Sequence, residues 1–231
     1  MNHFMQSEKT IVLNFDENTI QVVEDSFDKT NFIELKAELK ITRKKIIIPL
    51  EINHKTIEFL FDTGNSGGLF IKDEEIIETI PAEEGEMLLG NFDSFSTQTI
   101  KYFKNLNISN FPFSIENQNI TSFNPFQTNS MGMKFISKFN WIIDFKNKKV
   151  YIQKNKNNFE SNAVQNNSLQ VAAINGELII GFKNKSVQNF NIGNKIDSVN
   201  QEKVTSENIC KMMELLNKTT DWNTLKIEIK K

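Results

Sequence analysis

The chain has 231 residues, of which 39% are hydrophobic and 24% are charged, so it can form one large domain or two small ones. A formal net charge of -2 gives no electrostatic reason to expect a nucleic-acid partner. One cysteine, Cys210, excludes an intramolecular disulfide, and only two histidines disfavour a His/Cys metal site, a Cys–His nucleophile and a Ser–His–Asp triad. We therefore expect no metal and no cofactor.

No segment of the sequence has the length of a transmembrane helix, so we expect no membrane span. The first residues, MNHFMQSEKT, lack the apolar core of a signal peptide. At face value this predicts a cytoplasmic protein, or a periplasmic or secreted one if the sequence is a processed form.

Strand patterns dominate the first two thirds of the chain. Residues 11–15 and 20–23 flank a turn and predict a hairpin within an N-terminal β extension, residues 1–31. A second hairpin is predicted around the turn Asn53-His54-Lys55. Further expected elements are strands at 32–39, 100–103, 106–108 and 111–115, short helices at 73–79 and 131–139, and a closing hairpin at 141–153.

The remainder of the chain changes character at a polar, Asn-rich segment, which predicts a linker at residues 156–168. Beyond it, strands are expected at 178–182, 195–199 and 225–229. An amphipathic helix is expected between the last two, capped by Thr205 or Ser206, with Cys210 buried. Its apolar residues at helical spacing are Ile209, Met212, Met213 and Leu216.

Glycine is concentrated at one place, the segment FDTGNSGG at residues 61–68, which holds three of the nine glycines. It follows an apolar strand, and a carboxylate at the end of a buried strand is costly unless it is hydrogen-bonded. Adjacent glycines let backbone N–H groups approach such a carboxylate. The pattern indicates that Asp62 is held in place, either for chemistry or as a turn residue that caps its own loop.

This segment resembles the hydrophobic-Asp-Thr/Ser-Gly motif of the retropepsin-like aspartyl proteases. A second motif of that family, two apolar residues and a glycine that open a short helix, is matched by SMGMKFI at residues 130–136, and a final hairpin follows at 141–152. The resemblance covers residues 32–153 and implies a protease domain at 32–155, mainly β, with a closed barrel and one short helix. Two departures stand out: Asn65 replaces the usual Ala or Ser, and Ser130 replaces an apolar residue.

What the resemblance implies about the site is specific. Asp62 would be the catalytic residue, and a substrate-covering flap, a glycine-bearing hairpin, would lie near residues 85–95. Four loop residues would support the aspartate and two would form the second motif: Thr63, Gly64, Asn65 and Ser66, and Met131 and Gly132.

Aspartic peptidases need two carboxylates that share a proton. The sequence contains no second Asp-Thr/Ser-Gly, and Asp144, in IIDF, lacks the glycine. An active enzyme would therefore be a homodimer in which each copy contributes one Asp62 to a shared site. Its substrate would be a peptide or protein. The alternative is a catalytically inactive, peptide-binding or scaffold protein with the same fold.

The C-terminal segment, residues 169–231, resembles the PDZ domain of bacterial aspartyl protease–PDZ proteins. The similar stretches are LIIGF at 178–182 and NIGNKIDSVN at 191–200, with Asn194 where Asp is usual. No glycine lies near 169–171, where the carboxylate-binding loop is expected. Two roles stay open, capture of peptide C-termini and packing against the protease part or the dimer.

Overall fold

The computed structural model describes residues 9–24, 26–40, 45–72, 82–90, 95–113, 115–123, 128–156 and 168–230. The chain divides into two compact units, each with its own apolar core. The first unit combines the residues up to 80 with 103–161, and the second combines 81–102 with 162–231. The two units are thus interleaved along the chain. The sequence instead predicts two continuous domains, at residues 32–155 and 169–231, and these boundaries stay a prediction.

Eighteen strands and two α-helices make up the described structure. The strands are β1 Thr10–Asn14, β2 Thr19–Val23, β3 Ile33–Leu35, β4 Glu38–Lys40, β5 Lys45–Ile52, β6 Lys55–Phe61, β7 Leu69–Ile71, β8 Ala82–Gly90, β9 Phe95–Ile108, β10 Ile115–Phe123, β11 Ser130–Met131, β12 Phe139–Asp144, β13 Lys149–Lys154, β14 Leu169–Ile174, β15 Glu177–Asn184, β16 Ile196–Val199, β17 Glu202–Lys203 and β18 Ile227–Ile229. The α-helices are α1 Met133–Ile136 and α2 Ile209–Lys218, and a 3₁₀ turn spans Trp222–Thr224.

A closed six-stranded barrel is the centre of the first unit. Its strands neighbour one another in the ring β5-β6-β11-β7-β10-β9, and the pairing of Ile52 with Ile108 closes the ring. The β5–β6 hairpin turns at Asn53 and His54, which both have positive φ, as a two-residue type I′ turn requires. The mainly β fold with a closed barrel and one short helix that the sequence predicts is confirmed.

A five-stranded sheet in the order β2-β1-β12-β13-β3 completes the first unit. The predicted N-terminal hairpin belongs to it, because β1 pairs with β12 in the register Ile11–Ile143. Trp141 of β12 is fully buried, donates its indole N–H to the carbonyl of Ile136 at 2.7 Å, and meets the ring of Phe61 edge-on. Phe61 immediately precedes Asp62, so this packing fixes the end of β6.

The second unit is a smaller α+β assembly. It contains the β14–β15 hairpin, the three-stranded sheet β17-β16-β18 and α2, around a core that includes Trp222. The predicted apolar face of α2 is confirmed, with Ile209, Met212 and Leu216 buried. Two details of the prediction are wrong. The helix begins at Ile209, after Asn208 rather than a Thr205 or Ser206 cap, and Cys210 is exposed because it points away from that face.

Three other expectations have separate outcomes. The helix expected at 73–79 and most of the linker expected at 156–168 lie outside the described residues. The strand expected at 111–115 is a bend at 111–113, although the side chain of Phe111 is buried in the core. Among the described residues, no helix is long and apolar enough to cross a membrane.

Asp144 is a fully buried carboxylate at the end of β12. Its Oδ2 lies 2.7 Å from the ammonium of Lys29, and it accepts hydrogen bonds from the backbone and side-chain nitrogens of Asn147, both at 2.9 Å. Burial alone would raise the pKa of Asp144, but the Asn147 hydrogen bonds and the Lys29 ammonium together hold the pKa below its ordinary value of 3.8. Asp144 therefore stabilises the β12–β13 turn and ties it to the segment after β2.

We expect Asp144→Asn to lower the free energy of unfolding by about 2 kcal/mol at pH 7, because it removes one partner of a buried ion pair. Since the folded-state pKa is depressed, this contribution is fully present above about pH 5 and is lost as the pH falls below 3.8. Chemical denaturation of wild type and variant from pH 7 to 2 measures the difference, which should shrink towards acid pH.

The matched control is Glu34→Gln, which removes the exposed Lys149–Glu34 pair of the same sheet and should change stability by less than about 0.5 kcal/mol. A difference between wild type and Asp144→Asn that stays constant with pH would contradict the assignment.

Candidate active site

Asp62 lies at the end of β6 in a tight elbow, half-buried. Its backbone N–H donates to the carbonyl of Met131 at 3.0 Å, and its carboxylate Oδ1 accepts the N–H of Gly64, also at 3.0 Å. A backbone donor to a carboxylate fixes the side-chain rotamer. The aspartate is therefore both anchored and accessible.

The two sequence motifs meet at this elbow because β11 lies between β6 and β7. Met131 pairs with Phe61 of β6 in parallel and with Leu69 of β7 antiparallel. The loop 62–68, which joins β6 to β7, must therefore pass around the end of β11. Met131 is fully buried there, so the second motif forms the floor of the Asp62 loop.

Gly132 brings the second motif into direct contact with the loop. Its N–H donates to the carbonyl of Gly68 at 2.8 Å, and the next two amides, of Met133 and Lys134, donate to the carbonyls of Asn65 and Gly67 at 2.7 and 2.9 Å. A Cβ at Gly132 would lie 2.5 Å from the carbonyl oxygen of Gly67 and 2.7 Å from that of Asn65. Only glycine permits this approach, and the start of α1 thereby satisfies the loop carbonyls.

The two departures from the family pattern contact each other. The Asn65 side chain donates from Nδ2 to the hydroxyl of Ser130 at 2.9 Å, and its Oδ1 accepts the N–H of Gly67 at 2.8 Å. Ser130 is buried, so a hydroxyl there needs such a partner. A polar side chain in the loop and a polar side chain in β11 thus compensate one another.

Sequence reasoning missed Asn129, which precedes the second motif. Its backbone carbonyl accepts the N–H of Leu60, its side-chain Nδ2 donates to the carbonyl of Glu58 at 3.1 Å, and its Oδ1 accepts the N–H of Lys72 at 3.0 Å. Asn129 therefore links β6 to the end of β7 on both sides of the loop. The sequence signal for this role was an asparagine immediately before a short buried strand.

The other predicted site residues take distinct positions. Thr63, Gly64 and Ser66 are exposed on the loop, whereas Gly132 is buried beneath it. Asp144 is ion-paired with Lys29 and accepts hydrogen bonds from Asn147, so its carboxylate is not available to act with Asp62. Gly85, where the flap was expected to begin, lies in β8 of the second unit, and residues 91–94 lie outside the described residues.

Within the described parts of the chain, no cluster of three or more His, Cys, Asp or Glu side chains could hold a metal ion. The chemistry available at Asp62 is that of a carboxylate, which can accept a proton when ionised and donate one when protonated.

No protein-family model and no curated protein matches the sequence. Among solved structures, the chain is similar to a retropepsin-like aspartic protease from Rickettsia conorii, with a TM-score of 0.38 and 15% identity over 52% of this chain and 89% of that one. The site is accordingly assigned from its own geometry. The PDZ-like character of the second unit stays a prediction.

We expect Gly132→Ala to destabilise the first unit by more than about 3 kcal/mol or to prevent its folding, because the new methyl group would overlap two carbonyl oxygens. Thermal or chemical denaturation measures this. Gly68→Ala is the matched control: a Cβ at Gly68 meets no atom within 4 Å, so its stability should change little. Equal effects of the two substitutions would contradict the packing described here.

We expect Asn65 and Ser130 to be energetically coupled. Asn65→Ala removes two hydrogen bonds and should cost about 2 kcal/mol of unfolding free energy, whereas Ser130→Ala should cost about 1 kcal/mol. The double variant should cost less than the sum by about 0.5–1 kcal/mol, measured by a double-mutant cycle in denaturant.

The control for this cycle is Ser66→Ala, a substitution of an exposed serine in the same loop, which should be additive with Asn65→Ala. Strict additivity of the Asn65 and Ser130 substitutions would refute the coupling.

Proposed function

We propose that the protein is an aspartic-type endopeptidase that hydrolyses peptide bonds with water activated by two Asp62 carboxylates, one from each copy of a homodimer. The observation that carries the proposal is the elbow itself. Asp62 is accessible, one of its oxygens is held by the Gly64 amide, and the loop is braced by β11 and the start of α1. Such a braced, partly exposed carboxylate suits catalysis better than a turn residue that only caps its loop.

The chemistry follows from bringing two such groups together. Two carboxylates a few ångströms apart cannot both ionise easily, so the pair retains one proton. The ionised carboxylate takes a proton from the attacking water, and the protonated one donates to the carbonyl oxygen of the scissile bond. The two groups titrate as a unit, and the apparent pKa values belong to the pair. No metal or cofactor takes part in this mechanism.

A second copy is required because the described part of one chain supplies one suitable aspartate. Among the described residues, Asp62 is the aspartate in a glycine elbow, and Asp144 is neutralised by Lys29. A two-fold axis that passes between two copies of the loop would supply the pair. Thr63, exposed beside Asp62, is then placed to brace the partner's loop.

The alternative is a catalytically inactive protein that binds peptides through its PDZ-like unit. One contact weighs against it. The N–H of Val171 in β14 donates to the side-chain oxygen of Asn217 at 2.8 Å, and the Val171 carbonyl accepts from the same carboxamide at 3.0 Å. Asn217 therefore occupies the backbone groups that an added peptide strand would use at that position.

Mixing experiments test the shared site. When wild-type protein is mixed with a ninefold excess of Asp62→Asn and the chains exchange freely, most wild-type chains pair with the variant. Peptidase activity per wild-type chain should then fall to about a tenth, because pairing is random in a two-fold dimer. Cleavage of an unfolded protein substrate provides the assay.

The control is the same excess of Asp28→Asn, an exposed aspartate of the first unit that accepts hydrogen bonds from Thr30. Because this variant keeps Asp62, total activity should rise in proportion to the protein added. Activity per wild-type chain that is unchanged by excess Asp62→Asn would exclude a site shared between copies.

A pepstatin-type inhibitor gives an independent test, since it occupies the position between two aspartates. We expect it to bind wild type and to lose at least about tenfold in affinity for Asp62→Asn, measured by calorimetry. Peptidase activity that survives in Asp62→Asn would overturn the proposed mechanism, and inhibitor binding that is equal in both proteins would place the inhibitor elsewhere.

A further inference from the structure

The backbone of Asp62 is held on both sides. Its N–H donates to the carbonyl of Met131 at 3.0 Å, and its C=O accepts the N–H of Asn65 at 3.2 Å. The first bond ties Asp62 to β11, and the second closes a turn within the loop 62–68. The position of the Asp62 side chain therefore depends on how firmly that turn is joined to the rest of the first unit.

The side chain of Asn65 makes this junction. Its Nδ2 donates to the hydroxyl of Ser130 at 2.9 Å, and Ser130 is the residue before Met131 in β11. Four residues thus form a closed circuit of contacts, which runs from Asp62 to Met131, along the chain to Ser130, across to Asn65 and back to Asp62. Both backbone groups of the aspartate belong to this circuit, and the carboxamide–hydroxyl contact is the link in it that side chains form.

Further contacts fix the carboxamide of Asn65. Its Oδ1 accepts the N–H of Gly67 at 2.8 Å, a side-chain turn that asparagine commonly makes in loops. A Cβ at Gly132 would lie 2.8 Å from Cγ of Asn65, so the carboxamide lies closely against the backbone of the second motif. The Asn65 carbonyl also accepts the N–H of Met133 at 2.7 Å. The link from Asn65 to β11 therefore has a defined direction.

The carboxylate of Asp62 is held by the same turn. Its Oδ1 accepts the N–H of Gly64 at 3.0 Å, and Gly64 lies inside the turn that Asn65 closes. A movement of the turn would therefore move both the carboxylate and its donor. Misplacement of a reacting group by about 1 Å can lower a catalytic rate by about a hundredfold, so the contact that holds the turn bears on chemistry as well as on stability.

We propose that Asn65 is a positioning residue for Asp62: through Ser130, it holds the aspartate in the orientation in which two copies of the chain share a proton. Its place in catalysis rests on the proposed function. The carboxamide takes no part in proton transfer, so its loss lowers the rate of the chemical step rather than the binding of substrate. Because a two-fold site contains both loops, one substitution acts on both aspartates.

Two variants of the 231-residue chain open the circuit from opposite sides. Asn65→Ala removes the carboxamide, and Ser130→Ala removes the hydroxyl while leaving the contact between Asn65 and the Gly67 amide in place. Three-bond couplings across χ1 of Asp62, measured by NMR, report the orientation of its side chain. We expect one rotamer in wild type and averaging between rotamers in both variants, more complete in Asn65→Ala.

The matched control is Asn140→Ala, at a buried asparagine of β12 in the same unit. The Oδ1 of Asn140 accepts the N–H of Phe15 at 2.8 Å, and its Nδ2 donates to the carboxylate of Asp16, also at 2.8 Å. This substitution likewise removes carboxamide hydrogen bonds, but it lies outside the circuit, so Asp62 should keep its wild-type rotamer. Unchanged Asp62 couplings in both test variants, or the same averaging in Asn140→Ala, would overturn the proposal.

Steady-state kinetics with a peptide substrate test the consequence for catalysis. The assay uses a temperature at which circular dichroism shows every variant fully folded, and a protein concentration above which specific activity no longer rises. We expect kcat to fall about tenfold in Asn65→Ala and less in Ser130→Ala, with KM within about twofold of wild type. Asn140→Ala should keep both constants. A rise in KM at constant kcat would contradict a positioning role.

The two proposals fail separately. If Asp62→Asn retains full activity or wild type has none, the peptidase assignment fails, and the Asp62 couplings still decide whether Asn65 orients the aspartate. If activity depends on Asp62 but neither the couplings nor kcat respond to Asn65→Ala, the peptidase assignment stands and the role of Asn65 is excluded.

Discussion

The insertion of β11 between β6 and β7 is the constraint on which the Asp62 site depends. It obliges the loop 62–68 to pass around a buried strand end and allows the backbone at 132–134 to donate to three loop carbonyls. The close approach requires glycine at 132. Asp62 can then be partly exposed and still held in place, because its surroundings are fixed by main-chain contacts rather than by its own side chain.

The two aspartates considered as catalytic candidates show how environment assigns a role. Asp144 is fully buried, ion-paired with Lys29 and hydrogen-bonded to Asn147, so its carboxylate stabilises the β12–β13 turn. Asp62 is partly exposed and accepts one backbone N–H. A carboxylate with spare accepting capacity at the surface can take a second carboxylate or a water as its partner, whereas a satisfied buried one cannot.

The second unit includes a strand from the middle of the chain, since β8 pairs antiparallel with β15. Its boundaries therefore do not follow the order of the sequence. The compensation of Asn65 by Ser130 likewise joins segments far apart in the chain, because a polar change in one segment is acceptable where a second segment supplies the partner.

Local sequence patterns predicted the strand that leads to Asp62, the glycine elbow, the β5–β6 turn, the apolar face of α2 and the mainly β class, whereas the closed barrel was implied by the resemblance to a known family and not by these patterns. The local features depend on periodicity and on residues with particular backbone freedom, which neighbouring positions reveal. The tertiary structure decided the rest: the Asn65–Ser130 contact, the commitment of Asp144 to Lys29 and the pairing of β8 with β15. Each of these joins segments far apart in the chain, and a sequence pattern carries no information about which distant partner a polar group or strand edge will find.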